Sequence, residues 1–142
     1  MKRVYVNEKW CLGCHLCEYN CAFANSGIDD MAKALKGKTI APRIRVEEGD
    51  SINFAVSCRH CDNPLCVKGC ISGALSIQDG VISIDSDKCV GCDTCVLSWP
   101  YGCISTSEAG AVQKCELCTK NADGTPQCVA GCPNHAIVFE ER

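Results

Sequence analysis

The spacing of cysteine constrains this chain more than any other feature of it. Sixteen of the 142 residues are Cys, and all but Cys103 fall into four groups. Group one is Cys11, Cys14, Cys17 and Cys21; group two is Cys58, Cys61, Cys66 and Cys70. Group three is Cys89, Cys92 and Cys95, and group four is Cys115, Cys118, Cys128 and Cys132. Three Cys at successive two-residue gaps, as in groups one and three, wrap the backbone around one corner of a compact polynuclear object. The tight turns this needs account for Gly13 and Gly91 between the first two Cys of each run.

Composition removes the ordinary ways of holding such a chain together. The hydrophobic share of 46% counts the cysteines, and aromatics reach only 6%, so large apolar side chains are scarce. The N-terminal stretch has no apolar signal segment before Glu8 and Lys9, so the expected location is cytoplasmic, where thiols stay reduced and Cys clusters read as metal sites. No run of 18 apolar residues predicts a membrane span. A formal net charge of −3, deepened by about two negative charges for each oxidised 4Fe-4S centre held by four thiolates, gives nucleic acid no foothold. Nothing in the sequence forms a phosphate loop or a nucleophile–base pair.

Zinc is the alternative metal, because Cys-x-x-Cys pairs also make tetrahedral structural sites and the chain would then be a zinc-binding adaptor. Zinc sites pair two separated Cys-x-x-Cys units, whereas three Cys in one unbroken run is the spacing of 4Fe-4S clusters, in which the fourth Cys of the run ligates a neighbouring cluster. Clusters should therefore come in pairs. A thioredoxin-like dithiol would need a longer alternating fold.

An internal repeat supports a duplicated unit. Val4-Tyr-Val-Asn-Glu-Lys-Trp-Cys11-Leu-Gly-Cys14 matches Ile82-Ser-Ile-Asp-Ser-Asp-Lys-Cys89-Val-Gly-Cys92, and Gly69-Cys70-Ile-Ser-Gly-Ala74 matches Gly131-Cys132-Pro-Asn-His-Ala136. Each unit reads as strand, cluster loop, short helix, strand. Asp79-Gly80 between two apolar alternations predicts a hairpin. Between groups one and two, residues 28–38 read as a helix and residues 43–46 and 52–56 as strands, an insert (22–57) packed on the cluster core.

These residues resemble the four-cluster iron–sulfur subunits of the dimethyl sulfoxide reductase type. The likeness is greatest to their short cytoplasmic relatives, which accompany carbon monoxide dehydrogenase, hydrogenases, formate dehydrogenases and tungsten enzymes of the aldehyde oxidoreductase or benzoyl-CoA reductase type. The resemblance runs from Val4 to Phe139 and is strongest at Cys11-Leu-Gly-Cys-His-Leu-Cys17, Ser57-Cys-Arg-His-Cys-Asp-Asn-Pro-Leu-Cys66 and Lys114-Cys-Glu-Leu-Cys118. It implies an α+β fold of tandem bacterial-ferredoxin-like units in one domain, 1–142, with group one paired to group four and group two to group three. Carried over, Cys11, Cys14, Cys17 and Cys132 hold one cluster, and Cys115, Cys118, Cys128 and Cys21 hold its neighbour. Cys89, Cys92, Cys95 and Cys70 hold a third. The function implied is an electron relay at low potential, to or from a catalytic oxidoreductase with a second redox protein as the other contact, and not an enzyme in itself.

The chain departs from the family at one ligand. Cys58, Cys61 and Cys66 need a fourth partner, and its place is taken by Trp99. Three outcomes follow: a 3Fe-4S centre, the form associated with Trp at this place in a respiratory relative; a 4Fe-4S centre with a substitute ligand; or no cluster. Cys103 is either that substitute or a small buried residue. His15, His60 and His135 are expected beside the ligands or at the surface, with His60, next to the incomplete site, the one nearest to ligation. Trp10 and Trp99 would either shield clusters from water or simply pack. Lys33, Lys36, Lys38, Arg43 and Arg45 form either a solvated face or a dock for an acidic partner.

Overall fold

The computed structural model describes residues 2–26, 30–37, 41–98, 104–107, 110–119 and 125–141. Along the chain run β1 (Arg3–Val6), α1 (Leu16–Ala24), α2 (Met31–Leu35), β2 (Arg45–Glu48), β3 (Asn53–Val56), α3 (Leu65–Lys68) and β4 (Leu75–Gln78). There follow β5 (Val81–Ile84), α4 (Thr94–Ser98), β6 (Ser105–Thr106), β7 (Val112–Gln113), α5 (Gln127–Ala130) and β8 (Ile137–Glu140). The strands pair antiparallel as β1–β8, β2–β3, β4–β5 and β6–β7. Among the described residues no helix is long and apolar enough to cross a membrane.

The sequence repeat becomes a geometric one. β1 pairs with β8 so that Val6 faces Ile137, and β5 pairs with β4 so that Ile84 faces Leu75. The next residue closes the same bond in both: Asn7 N–H donates to the Ala136 carbonyl and Asp85 N–H to the Ala74 carbonyl, each at 2.8 Å. The short helices match too, α3 between Pro64 and Gly69 and α5 between Pro126 and Gly131, since Pro begins a helix at no donor cost. α1 packs on α5 and α4 on α3.

Each unit has its own small core. One gathers Cys17, Cys21, Ile44, Val46, Ala55, Cys128 and Ile137; the other gathers Cys66, Leu75, Ile82, Cys95, Ile104 and Val112. No aromatic ring is among the buried hydrophobics of the described residues, and Trp10, 55% exposed, is part of neither core. Trp99 lies outside the described residues.

The hairpin at Asp79-Gly80 forms with both residues at positive φ, 52° and 82°, as a primed turn requires. The insert forms with shifted bounds. Its helix is Met31–Leu35, started where the Asp30 carboxylate accepts from Ala32 N–H at 2.9 Å and ended where Lys36 turns extended; positions 28, 29 and 38 of the predicted span lie outside the described residues. Its first strand starts two residues late, because Ile44 turns into the core ahead of it. In the second core Ile104, just before β6, and Val112 of β7 play the part that Ile44, just before β2, and Val46 play in the first. That hairpin of two-residue strands carries too short an alternation to be read from sequence.

Candidate iron–sulfur sites

A left-handed residue stands immediately before the second Cys of each group: Gly13 (φ 69°), His60 (φ 47°), Gly91 (φ 72°) and Leu117 (φ 56°). The turn aims a backbone N–H back at the first sulfur where that bond is recorded. His60 N–H lies 3.4 Å from Cys58 Sγ and Leu117 N–H 3.4 Å from Cys115 Sγ. Only the two glycines signal this conformation in the sequence. His and Leu adopt it at a cost that the surrounding structure sustains.

Gly91 is the more demanding glycine. A Cβ there would stand 2.9 Å from the Gly110 carbonyl oxygen, whereas one on Gly13 would meet the movable amide of Asn53 at 3.1 Å. Gly91→Ala is expected to cost about 1–2 kcal/mol in backbone conformation and more from the clash, so it should shed iron to a chelator faster than Gly13→Ala. Equal release rates would mean the Gly110 contact carries no weight.

The cysteines gather in sets drawn from different groups. One cavity is lined by Cys11, Cys14, Cys17 and Cys132, a second by Cys21, Cys115, Cys118 and Cys128, and a third by Cys70, Cys89, Cys92 and Cys95. Cys58 and Cys66 are both buried, and Cys61 is half-buried between them in the chain. Cys103 falls outside the described residues. The four thiols of a set surround a void, whereas zinc requires sulfurs about 3.8 Å apart around a point. Among the described residues no group of three His, Cys, Asp or Glu is placed to hold a single ion.

The donor chemistry fits clusters bound by thiolates. Burial pushes the Cys17 and Cys115 thiols up to about 12 and raises Cys21, Cys66, Cys95 and Cys128 as well, so iron must displace protons to bind. Hydrogen bonds prepare several sulfurs for charge. Arg43 N–H points at Cys21 Sγ at 3.1 Å and the Asn25 amide at 3.6 Å, and the Thr94 hydroxyl points at Cys92 Sγ at 3.4 Å. The Thr94 bond lowers the Cys92 thiol. Burial pulls the Cys70 thiol up, but bonds from the Leu75 backbone and the Ser72 hydroxyl outweigh it and the net shift is downward.

The histidines divide. His135 is exposed. His15 Nε2 contacts Glu48 at 2.6 Å and Nδ1 contacts Glu18 at 2.9 Å, and the Glu48 bond, then the Glu18 bond, raises its pKa. The stability this gives is complete below the ordinary value near 6.5 and is lost as pH rises through the raised folded value. His60 is buried, and its Nδ1 accepts the Ile82 N–H at 3.0 Å. Its Nε2 is buried with no hydrogen-bond partner among the described residues.

Charged residues supply what the sequence did not reveal. Glu18 accepts Val46 N–H at 2.7 Å and Glu116 accepts Ile84 N–H at 2.9 Å, each fastening a strand to a cysteine group. Lys114 is fully buried and donates to the Ile82 and Cys115 carbonyls. The basic stretch is not one face. Lys33 and Lys36 are exposed, Arg45 pairs with Glu47 at 2.5 Å, and Arg43 lines the Cys21 cavity; Lys38 lies outside the described residues.

Known proteins carry the same pattern. Residues 50–142 match the family model described as a 4Fe-4S dicluster domain. Electron transport protein HydN of Escherichia coli (strain K12) is 36% identical over 148 residues, covering 93% of this chain and 83% of that protein. An iron-sulfur protein of Rhodospirillum rubrum is 33% identical, covering 94% and 79%, and the putative electron transport protein YsaA of Escherichia coli (strain K12) is 34% identical, covering 89% and 82%. A chain of the active site complex BamBC of benzoyl coenzyme A reductase shares the fold, with TM-score 0.53 and 21% identity over 100% of this chain and 80% of its own. With its cysteine pattern, duplicated unit and these relatives together, the chain belongs to the 4Fe-4S dicluster-domain family and is an iron–sulfur electron-transport protein.

Proposed function

We propose that the chain is a relay subunit in which three cavities, those of Cys11/Cys14/Cys17/Cys132, Cys21/Cys115/Cys118/Cys128 and Cys70/Cys89/Cys92/Cys95, each hold a 4Fe-4S cluster, and Cys58, Cys61 and Cys66 hold part of a fourth. The observation that carries the reading is that each cavity is completed by a cysteine from another group, the sharing that places clusters in close pairs. The clusters, when bound, supply one-electron redox chemistry. The chain's residues exclude water from the inner thiols and orient N–H donors toward sulfur.

Two sets reach the surface, one in each unit. Cys14 is exposed beside Leu12, 65% exposed, and Cys92 is exposed beside Val90, 67% exposed. Leu12 and Val90 are equivalent positions of the repeat, so each outer set presents a bared sulfur next to an apolar contact, suited to passing an electron to a docked protein. The partner we infer is a catalytic oxidoreductase subunit containing tungsten or molybdenum, in the manner of the dimethyl sulfoxide reductase type. The fold shared with a chain of benzoyl coenzyme A reductase is compatible with this partner, and a cytoplasmic location suits it.

Iron and acid-labile sulfide analysis with low-temperature EPR of the anaerobically purified protein tests the reading. About sixteen irons, or about twelve if the Cys58 site is empty, with coupled signals after dithionite are expected. A 3Fe signal as isolated would assign the Cys58, Cys61 and Cys66 site to a three-thiolate centre. Stoichiometric zinc without sulfide would overturn the relay and support an adaptor.

A further inference from the structure

The outer edge of β5 is where the two units meet through side chains. Ile77 and Ile82 form the second pair from the two-residue turn, so the Ile82 N–H and carbonyl point away from β4 and need other partners. His60, from group two, takes the N–H at 3.0 Å. Lys114, next to group four, takes the carbonyl with its Nζ, and the same Nζ donates to the Cys115 carbonyl at 2.6 Å. Two residues further along that edge Glu116 takes the Ile84 N–H. Ile82 itself is 1% exposed and Lys114 0%.

An ammonium at that depth is costly unless negative charge compensates it. Its two recorded partners are carbonyl oxygens, which solvate the charge without neutralising it. Its position touches both units: Lys114 directly precedes Cys115 of group four, and Ile82, whose carbonyl it holds, is held at its N–H by His60, between Cys58 and Cys61 of group two. Lys114 therefore stands where an electron would cross between units.

We propose that Lys114 is a charge-setting residue for the relay: its buried ammonium, fixed on the β5 edge between the Cys21/Cys115/Cys118/Cys128 set and the Cys58/Cys61/Cys66 set, raises the reduction potentials of the centres at the junction above those of the outer sets. A reduced cluster carries one more negative charge than an oxidised one, so a fixed cation nearby stabilises the reduced form, and low local dielectric enlarges the effect. Electrons would then rest at the junction rather than at the exposed ends. This inference rests on the relay reading above.

The test is an EPR-monitored redox titration of the cluster-loaded full chain, comparing wild type with Lys114→Gln, which keeps a donor for the carbonyls, and Lys114→Arg, which keeps the charge. The expected result is a downward shift of the junction midpoints in Lys114→Gln, unmoved outer midpoints, and near wild-type values in Lys114→Arg. Wild-type midpoints throughout in a fully loaded Lys114→Gln would overturn the proposal and leave the relay intact. If Lys114→Gln fails to load, Lys114→Arg decides: loading with wild-type midpoints supports a need for charge, and failure to load assigns Lys114 to structure alone. A wild-type protein that never takes up iron and sulfide would instead sink the relay reading itself.

Discussion

Anaerobic removal of iron by a strong chelator is expected to unfold this protein, with loss of most far-UV circular dichroism and of dispersed amide resonances. The described sheets have two strands each, and an isolated hairpin is marginal in water. The described helices are short, four of the five having five residues or fewer, below the length at which a helix persists alone. Cys17, Cys21 and Cys128 make up much of one core, and Cys66 and Cys95 part of the other. Without clusters those side chains would face voids and forfeit their contacts, and the binding free energy of the metal is also folding free energy. The pH dependence has a definite sign. A cysteine in an unfolded chain titrates at about 8.5, so each thiolate released by iron takes up a proton at neutral pH. The loaded form binds fewer protons, its advantage grows as pH rises, and chelation should be easier at low pH. A fully iron-free protein that kept its native circular dichroism would refute this account.

Cys21→Ala is expected to remove one cluster and leave the one held with Cys17 in place, although Cys21 is only four residues beyond Cys17. Both lie on α1 and both are buried, but they line different cavities: Cys17 that of Cys132, Cys21 that of Cys115, Cys118 and Cys128. Residues four apart on a helix stand about 6 Å apart along its axis, so one helix can serve two neighbouring clusters. Cys21→Ala and Cys128→Ala should lose the same EPR component and about four irons, or convert that centre to a 3Fe form. Cys132→Ala should affect a different component. Loss of the same component from Cys21→Ala and Cys132→Ala would mean that group one keeps its fourth ligand to itself.

The repeat written in the sequence at Val4–Cys14 and Ile82–Cys92 became two strand pairs with equivalent registers and an equivalent closing bond. Asp79-Gly80 was legible because a two-residue turn is encoded by the residues in it. Gly13 and Gly91 disclosed their left-handed turns, while His60 and Leu117 hid theirs, since neither residue type advertises that conformation. The bounds of the insert were blurred because Ile44 leaves the alternation to enter the core. β6–β7 left no period long enough to read.

Cysteine spacing by itself determined the chemistry of this protein, since short-range gaps decide whether thiols can wrap a polynuclear centre, and the same spacing carried the family resemblance. The family resemblance already implied which sulfurs belong together, and tertiary structure alone decided which two sets reach the surface and where a fully buried lysine comes to rest. Those outcomes depend on contacts between residues such as Ile82 and Lys114, far apart in the chain. No local pattern of charge or hydrophobicity encodes which distant backbone carbonyl an ammonium will find.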